Sequence, residues 1–580
     1  MIARNRRRWP PWLAVVLLLG AGVVVFFPAL RSPPFMDDYF QNAMIDGAYP
    51  SPRSPWNLYD FVGDGDRTLL LHRGLIPWWS HPRLTLRFLR PLSSALLWAD
   101  HRVFGEQPFA FHMHSFAWWV VAALAARSLY RRSLRPRAAL LATVVFALAP
   151  CHVLPLFWLA NRTALVSLVF GVLGLATLAR FRERRRWRHL AGATAFFALA
   201  LMGGEYALAF GGYVLAMAIV GRRWGRLERA CAVASFALPA VAYLAVRTAL
   251  GYAAVGSGVY FDPLRDQAAL LRHAPGRLLT LLAQGWLSLD PATVNESMSL
   301  WILGLLTVAA ASILVVPLRR ALASLDEARR ECATWFLLGS VLSLVPVLAV
   351  AAAPRVLGAS MLGIAYAVGL VLERVWFPRE GGTEARVGDW EGLVALGIGF
   401  AHLVHGPAIA RITSSVCRAQ ATAFAGRAAD FRARLGPAIR ADVVVVRSLD
   451  PTLFVIPWAL DPTANPPARW HVLDVAGHVL VSRPDARTLD VVVQAGESLV
   501  PPGENGLFRG EQPPFTRGQV VRCGDMRVTV LDVDRAGPRR VRFEFDSDLE
   551  SPSHAWVDDR LDGVRQARLP APGYGKTFDP

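Results

Sequence analysis

Lysine is almost missing from this chain of 580 residues: Lys576 stands alone, and the rest of the positive charge is arginine. Cysteine is scarce too, five in all, with no Cys-x-x-Cys pair, so no structural zinc site of paired cysteines is expected. Cys417 and Cys523 are left as a pair able to form a disulfide on the outer side of a membrane. No glycine-rich phosphate loop appears, which removes the usual sign of a nucleotide ligand. No basic stripe with interleaved aromatics appears, so a net charge of +18 does not point to nucleic acid. No tandem repeat of fixed period is visible. Charged residues make up only 18% of the chain against 54% hydrophobic ones, with mean hydropathy +0.34. That balance is normal for a protein that crosses a membrane many times.

The arginines fall in short clusters between apolar runs, which is the positive-inside pattern of membrane loops. Arg4 and Arg6 to Arg8 precede the run Trp12 to Leu30. A basic start before an apolar segment also describes a signal peptide. The run is long enough for the ~30 Å hydrocarbon core, and no small-residue cleavage site follows it, so it reads as a first transmembrane helix. Arg31 to Pro108 is a long outer loop, rich in Trp and Pro, expected to lie at the headgroup level. Further spans are expected at Phe109–Ala126, Ala138–Leu148, Thr163–Leu178, His189–Gly203, Tyr206–Val220 and Ala230–Leu250. Others follow at Leu300–Leu318, Ala333–Ala353, Leu357–Leu372 and Leu393–Ala410. Gly276 to Leu289 is apolar but short and reads as an outer interfacial segment. The charge rule then gives roughly eleven spans with the N-terminus in the cytoplasm and the C-terminus outside.

The expected organisation is a transmembrane domain over 1–410, including the outer loop 31–108, then an amphipathic helical connector over 411–440. An all-β extracytoplasmic domain follows over 441–580. Its expected strands are Ala441–Arg447, Thr452–Trp458, Trp470–Val475, His478–Ser482, Thr488–Val493, Met526–Asp532 and Arg539–Phe545. Fold class is thus an α-helical polytopic membrane protein with a small C-terminal all-β domain. Abundant arginine and alanine fit a GC-rich bacterial genome, and with it a multi-pass protein of the bacterial inner membrane with a periplasmic C-terminal domain.

Ionisable residues at membrane depth are costly and are candidates for function. Asp37, Asp38, Arg90, His112, His152, Arg162, Glu205 and Arg355 all map to the outer ends of spans or to the outer loop. The inner ends carry only the arginine clusters that orientation explains. A face with both carboxylates and guanidiniums suits an anionic, hydroxyl-rich ligand. A carboxylate takes a proton from a hydroxyl or holds a divalent metal, which this chemistry allows but does not demand. An arginine grips a phosphate through two N–H bonds. Each residue also has a structural reading: Asp37 and Asp38 as a solvated loop start, Glu205 as a cap or a partner of Arg162. Arg355 as a headgroup anchor and the two histidines as satisfied packing groups complete that reading.

Several stretches resemble the GT-C superfamily of membrane glycosyltransferases, which use polyprenyl-phosphate sugars. The pattern is similar to that of transmembrane O-mannosyltransferases carrying tetratricopeptide repeats, and more distantly to protein O-mannosyltransferases and lipid A aminoarabinose transferases. Phe35-Met-Asp37-Asp38-Tyr-Phe resembles the acidic pair after the first span. Leu89-Arg90-Pro91-Leu92 and Phe111-His112-Met113 resemble motifs flanking the second. Pro150-Cys-His152 followed by Asn161-Arg162-Thr-Ala-Leu resembles H-P-x-H and G-R-x-x-L. Gly204-Glu205 resembles a K-E pair, Leu287-Ser288-Leu289-Asp290 an outer segment ending L-S, and Pro354-Arg355-Val-Leu an R-Y-L motif. The likeness covers about Trp12 to Leu372. It departs where Ala149 replaces His, Leu154 an acidic residue and Gly204 a lysine.

The resemblance implies transfer of a sugar (mannose-like or another hexose or pentose) from a polyprenyl-phosphate donor to an extracytoplasmic glycan, lipid or protein acceptor. It implies Asp37 or Asp38 as general base. Arg90, His112, His152, Arg162, Glu205 and Arg355 are then the candidates for substrate and phosphate contact. The other readings are an inactive scaffold of envelope glycan assembly, which those departures suggest, and a transporter or flippase. A transporter is expected to show internal repeats or midplane charges, and neither is visible.

Overall fold

A computed structural model describes residues 11–63, 65–221, 224–289, 300–377, 389–436, 441–448, 451–460, 467–494, 496–501, 506–560 and 562–578. Arg4, Arg6 to Arg8 and Asp290 lie outside these. The chain divides into two compact units. The first comprises 1–32, 90–250 and 270–419, and the second 33–89, 251–269 and 420–580.

The first unit is helical. Among the described residues eight helices of the chain are long and apolar enough to cross a membrane, or nine if the bent pair Pro136–Ala147 and Pro150–Phe157 counts as one span. The remaining two expected spans are also helices, but Trp187–Gly203 has 17 residues and Glu205–Val220 is shorter still. They are cut short at Gly203-Gly204, where backbone that suits only glycine (φ +154°) interrupts the helix. The helix Pro354–Trp376 is central, 89% buried over its apolar window, whereas Trp301–Ala323 is peripheral at 11%. Close backbone approach lets the centre pack: Gly363 lies against the Phe336 carbonyl and Gly369 against that of Ala138, where a Cβ would come within 2.2 and 2.7 Å. Phe336 stacks on Trp335 and Tyr366, with ring centroids 4.0 and 4.4 Å away.

The arginine-rich helix ends carry more than arginine. Arg132 pairs with Glu183, Arg182 with Glu331, Arg185 with Glu228, Arg135 with Glu373, and Arg374 with Glu391. The expectation of arginine alone at these ends is thus corrected. Clustered guanidiniums repel one another, and the glutamates offset that repulsion while the helices pack.

The second unit holds three sheets. β1 (Asp60–Val62), β2 (Thr85–Arg87) and β3 (Ala254–Val255) form an antiparallel sheet in that order. The C-terminal strands are β4 (Asp442–Val445), β5 (Arg469–Val472), β6 (Val479–Ser482), β7 (Thr488–Val492), β8 (Val520–Cys523), β9 (Met526–Val533), β10 (Pro538–Phe545), β11 (His554–Arg560), β12 (Gly563–Gln566) and β13 (Gly575–Phe578). They make a six-stranded sheet, β13-β6-β7-β10-β9-β8, and a four-stranded one, β12-β11-β4-β5. β4 runs parallel to both β5 and β11, so the smaller sheet is mixed. The expected strand Thr452–Trp458 is instead two short helical turns, Pro451–Val455 and Ile456–Leu460. The prolines at 451 and 457 disfavour ladder pairing there.

Much of the outer loop, 33–89, belongs to the second unit. Trp78 and Trp79, each 3% exposed, are buried inside the second unit, where the Trp78 indole donates to the Leu473 carbonyl at 2.9 Å. Tyr49 stacks on Trp458 with centroids 5.2 Å apart. Trp78 and Trp79 are therefore core residues of this unit, whereas Trp56 is 60% exposed. Cys417 and Cys523 are both buried free thiols.

Candidate active site

In the first unit the polar candidates gather at the helix ends opposite the arginine clusters. Arg162 opens the helix that Arg182 closes, and Arg355 opens the one that Arg374 closes. Arg162, 3% exposed, donates through Nη1 to Asp100, itself 4% exposed. His114 Nδ1 lies 2.7 Å from the other Asp100 oxygen, and the Trp118 indole lies 3.0 Å from His114 Nε2. An indole only donates, so His114 Nε2 accepts and Nδ1 carries the proton that goes to Asp100. Asp100 is thus held from two sides, and Arg162 is held at one of its nitrogens.

The other two, Nε and Nη2, are buried and make no hydrogen bond. Beside them in sequence, Asn161 Nδ2 and Thr163 Oγ1 are in the same condition. Asn161 is oriented by Tyr206, whose hydroxyl donates to Asn161 Oδ1 at 3.1 Å. Buried polar atoms are costly to leave unbonded.

Arg90 and Glu205 pair at 2.9 Å, and the Arg90 guanidinium also faces the Tyr206 ring. Tyr243 hydrogen-bonds Glu205 from a third helix. Gly204 has no side chain between these groups: a Cβ there would lie 3.4 Å from Thr163 Oγ1 and 3.5 Å from Arg90 Nε. The lysine of the K-E pattern is absent at 204, and Arg90 places a cation against the same Glu205.

His152, Tyr206 and Arg355 line one cavity together with apolar residues such as Leu165 and Phe210. It holds about 350 Å³, part of it open to solvent. His152 is buried, with Nε2 2.9 Å from the Phe146 carbonyl. The Arg355 guanidinium lies over the Trp158 ring, 5.7 Å from its centroid. His112 is set apart from this cavity. Its two ring nitrogens contact the carbonyls of Leu156 and Ser32 at 3.0 and 3.1 Å.

Asp37 and Asp38 belong to the second unit, in the first turn of the helix Asp37–Ile45. Their environments differ. Asp38 is 3% exposed and its Oδ2 accepts from the Phe35 N–H at 2.9 Å, closing the turn. Asp37 is half-buried. Met36 before them has φ +49° and ψ −114°, a strained conformation for a residue with a side chain. The neighbouring Tyr39 hydroxyl is pushed up to about 12, first by burial and then by the Asp38 charge, so it stays protonated.

Sequence reasoning missed Asp100, His114, Asn161, Thr163, Tyr206 and Tyr243. Asn161 and Thr163 flank Arg162 directly and were legible as part of one turn. Asp100 and His114 meet only through helix packing.

No protein-family model matches this chain, and no curated protein matches it. Among solved structures it is similar to the archaeal oligosaccharyltransferase AglB from Archaeoglobus fulgidus in complex with an inhibitory peptide and a dolichol-phosphate. That likeness has 12% identity and TM-score 0.42, over 79% of this chain and 64% of that one. It is also similar to ArnT from Cupriavidus metallidurans bound to undecaprenyl phosphate. There the identity is 14% and the TM-score 0.40, over 77% of this chain and 84% of that one. The chain therefore spans 64% of the length of the oligosaccharyltransferase. Likeness at this level carries no residue's role across.

Proposed function

We propose that this multi-pass membrane protein is a glycosyltransferase that takes a sugar from a polyprenyl-phosphate donor. The observation that carries the proposal is the buried Arg162 guanidinium with two unbonded nitrogens, beside the unbonded Asn161 Nδ2 and Thr163 Oγ1. Such a set fits the oxygens of a phosphate, and Arg is the side chain best shaped for it. Arg355 and Tyr206, lining the adjoining cavity, are assigned to the donor as well. A lipid phosphate brings no nucleoside, in keeping with a chain that has no glycine-rich nucleotide loop.

In the proposed step a carboxylate of the Asp37-Asp38 pair removes the proton from an acceptor hydroxyl. The hydroxyl oxygen bonds to the anomeric carbon, and the bond from that carbon to the phosphate oxygen breaks. The electron pair leaves with the lipid phosphate. Asp37 is the better assigned base, because Asp38 is buried and closes the turn through Phe35. The sugar is a hexose or pentose, and the acceptor is a glycan, lipid or protein outside the cytoplasm.

The test is transfer of radiolabel from polyprenyl-phosphate sugars in membranes, comparing wild type with Asp37→Asn, Asp38→Asn and Arg162→Lys at matched expression. Loss in an Asp variant and in Arg162→Lys supports the reading. Full transfer by both Asp variants overturns the base assignment. A second reading, a scaffold without catalysis, is favoured by His112, held between two backbone carbonyls, and by Ala149 and Leu154 where the motif has polar residues. It predicts no transfer by wild type with any donor and unchanged partner assembly in the Asp variants.

A further inference from the structure

The smaller C-terminal sheet brings four chemistry-bearing side chains to one edge. β4 lies between β11 and β5, and the register sets Asp442 opposite both His554 and Arg469. Asp525 comes from the other sheet, in the Gly524-Asp525 turn joining β8 to β9. One side-chain ligand atom from each of Asp442, Asp525 and His554 lies within 4.8 Å of the others. His471, two residues beyond Arg469 on the same strand, points its Nε2 at Asp525 Oδ1 from 3.4 Å.

Neither of those two atoms makes a hydrogen bond, although His471 is only 2% exposed. His554, 9% exposed, meets Ser547 Oγ through Nε2 at 2.8 Å, while its Nδ1 is buried and unbonded. Charge is also unbalanced. Arg469 Nη1 bridges Asp442 and Asp525 at 3.0 and 2.9 Å, one guanidinium for two carboxylates.

From this juxtaposition we propose that Asp442, Asp525 and His554 bind a divalent cation of the zinc type, with His471 orienting Asp525. Mixed imidazole and carboxylate donors favour a borderline first-row ion over calcium or magnesium. Ligands ~2.1 Å from a tetrahedral ion lie ~3.4 Å apart, a separation within the 4.8 Å that already encloses the three ligand atoms. Arg469, 37% exposed, swings outward as the ion enters. The ion then fastens the β8–β9 turn to β4 and β11.

The test uses the full chain in detergent, stripped with a chelator and titrated with zinc chloride. Bound metal is counted after desalting, and thermal unfolding is followed in parallel. The expected result is one zinc per chain with a melting temperature that rises with zinc. Asp525→Asn and His554→Gln are expected to weaken binding at least ~10-fold. Arg469→Ala is expected to bind at least as tightly as wild type, because the competing cation is gone. A purely ionic network predicts the reverse for Arg469→Ala, lower stability with no zinc uptake. Absence of stoichiometric zinc from both wild type and Arg469→Ala overturns the proposal, as does unchanged affinity in Asp525→Asn and His554→Gln.

Discussion

Arg162 and Asp100 form a buried ion pair, 3% and 4% exposed, that leaves two guanidinium nitrogens of Arg162 without a hydrogen bond. The pair neutralises the charge of the arginine but leaves part of its bonding capacity open. Asp100→Asn is expected to lower stability by ~3–5 kcal/mol, the usual effect of stranding one buried partner. Arg162→Lys keeps the charge and loses the planar fork, so donor affinity is expected to fall at least ~10-fold. Thermal unfolding in detergent and donor saturation curves check the two effects separately. Unchanged donor affinity in Arg162→Lys speaks against phosphate contact at this turn.

The two neighbouring aspartates are expected to separate under substitution. Asp37→Asn is expected to remove transfer. Asp38→Asn is expected to lower both transfer and melting temperature, because its carboxylate holds the Phe35 N–H. Parallel activity and unfolding measurements decide this. The opposite pattern assigns the base to Asp38.

Gly204 is held at φ +154° with Arg90 and Thr163 close to where a Cβ would be. Gly204→Ala is expected to cost ~1–3 kcal/mol from backbone strain alone. It is also expected to weaken the Arg90–Glu205 pair by displacing the guanidinium. A melting temperature equal to that of wild type rules out the strain.

The second unit carries a built-in acid sensitivity at His81. Burial, then the charges of Arg509, Arg83 and Arg67, lower the pKa of this imidazole to about 4. Its Nδ1 accepts from the Arg83 N–H at 3.0 Å, so the neutral ring is the one that fits. The unfolded value is ~6.5, so the contribution is fully present above that pH and is lost as pH falls toward 4. His81→Asn is expected to flatten the melting temperature between pH 6.5 and 4, read from tryptophan fluorescence of the full chain. An unchanged slope sinks this assignment.

Much of the architecture follows from local sequence. Long apolar runs have to be helices, because a lipid environment offers no partner for an open backbone. Seven alternating runs between turn residues named most of the C-terminal strands. Thr452–Trp458 failed because the apolar alternation there is interrupted by Pro457, a constraint that outweighs β-branched content. The one-sided grouping of Arg90, Arg162, Glu205 and Arg355 was also legible, since charge at a span end is visible one residue at a time.

Tertiary structure decided which of those groups work together. Periodicity assigns a residue to a face but does not say which other helix meets that face. Only packing puts Asp100 and His114 on Arg162, Tyr206 on Asn161, and Arg90 where the motif has lysine. Only packing sets His112 beside two carbonyls and carries Trp78 and Trp79 of the outer loop into a protein core. The same holds for Asp442, Asp525 and His554, which come from two sheets and meet because strand register places one beside the other. Sequence determined which segments are apolar, charged or extended, because those are local properties of side chains. The sites are contacts between residues distant in the chain, and only the fold brings them within bonding distance.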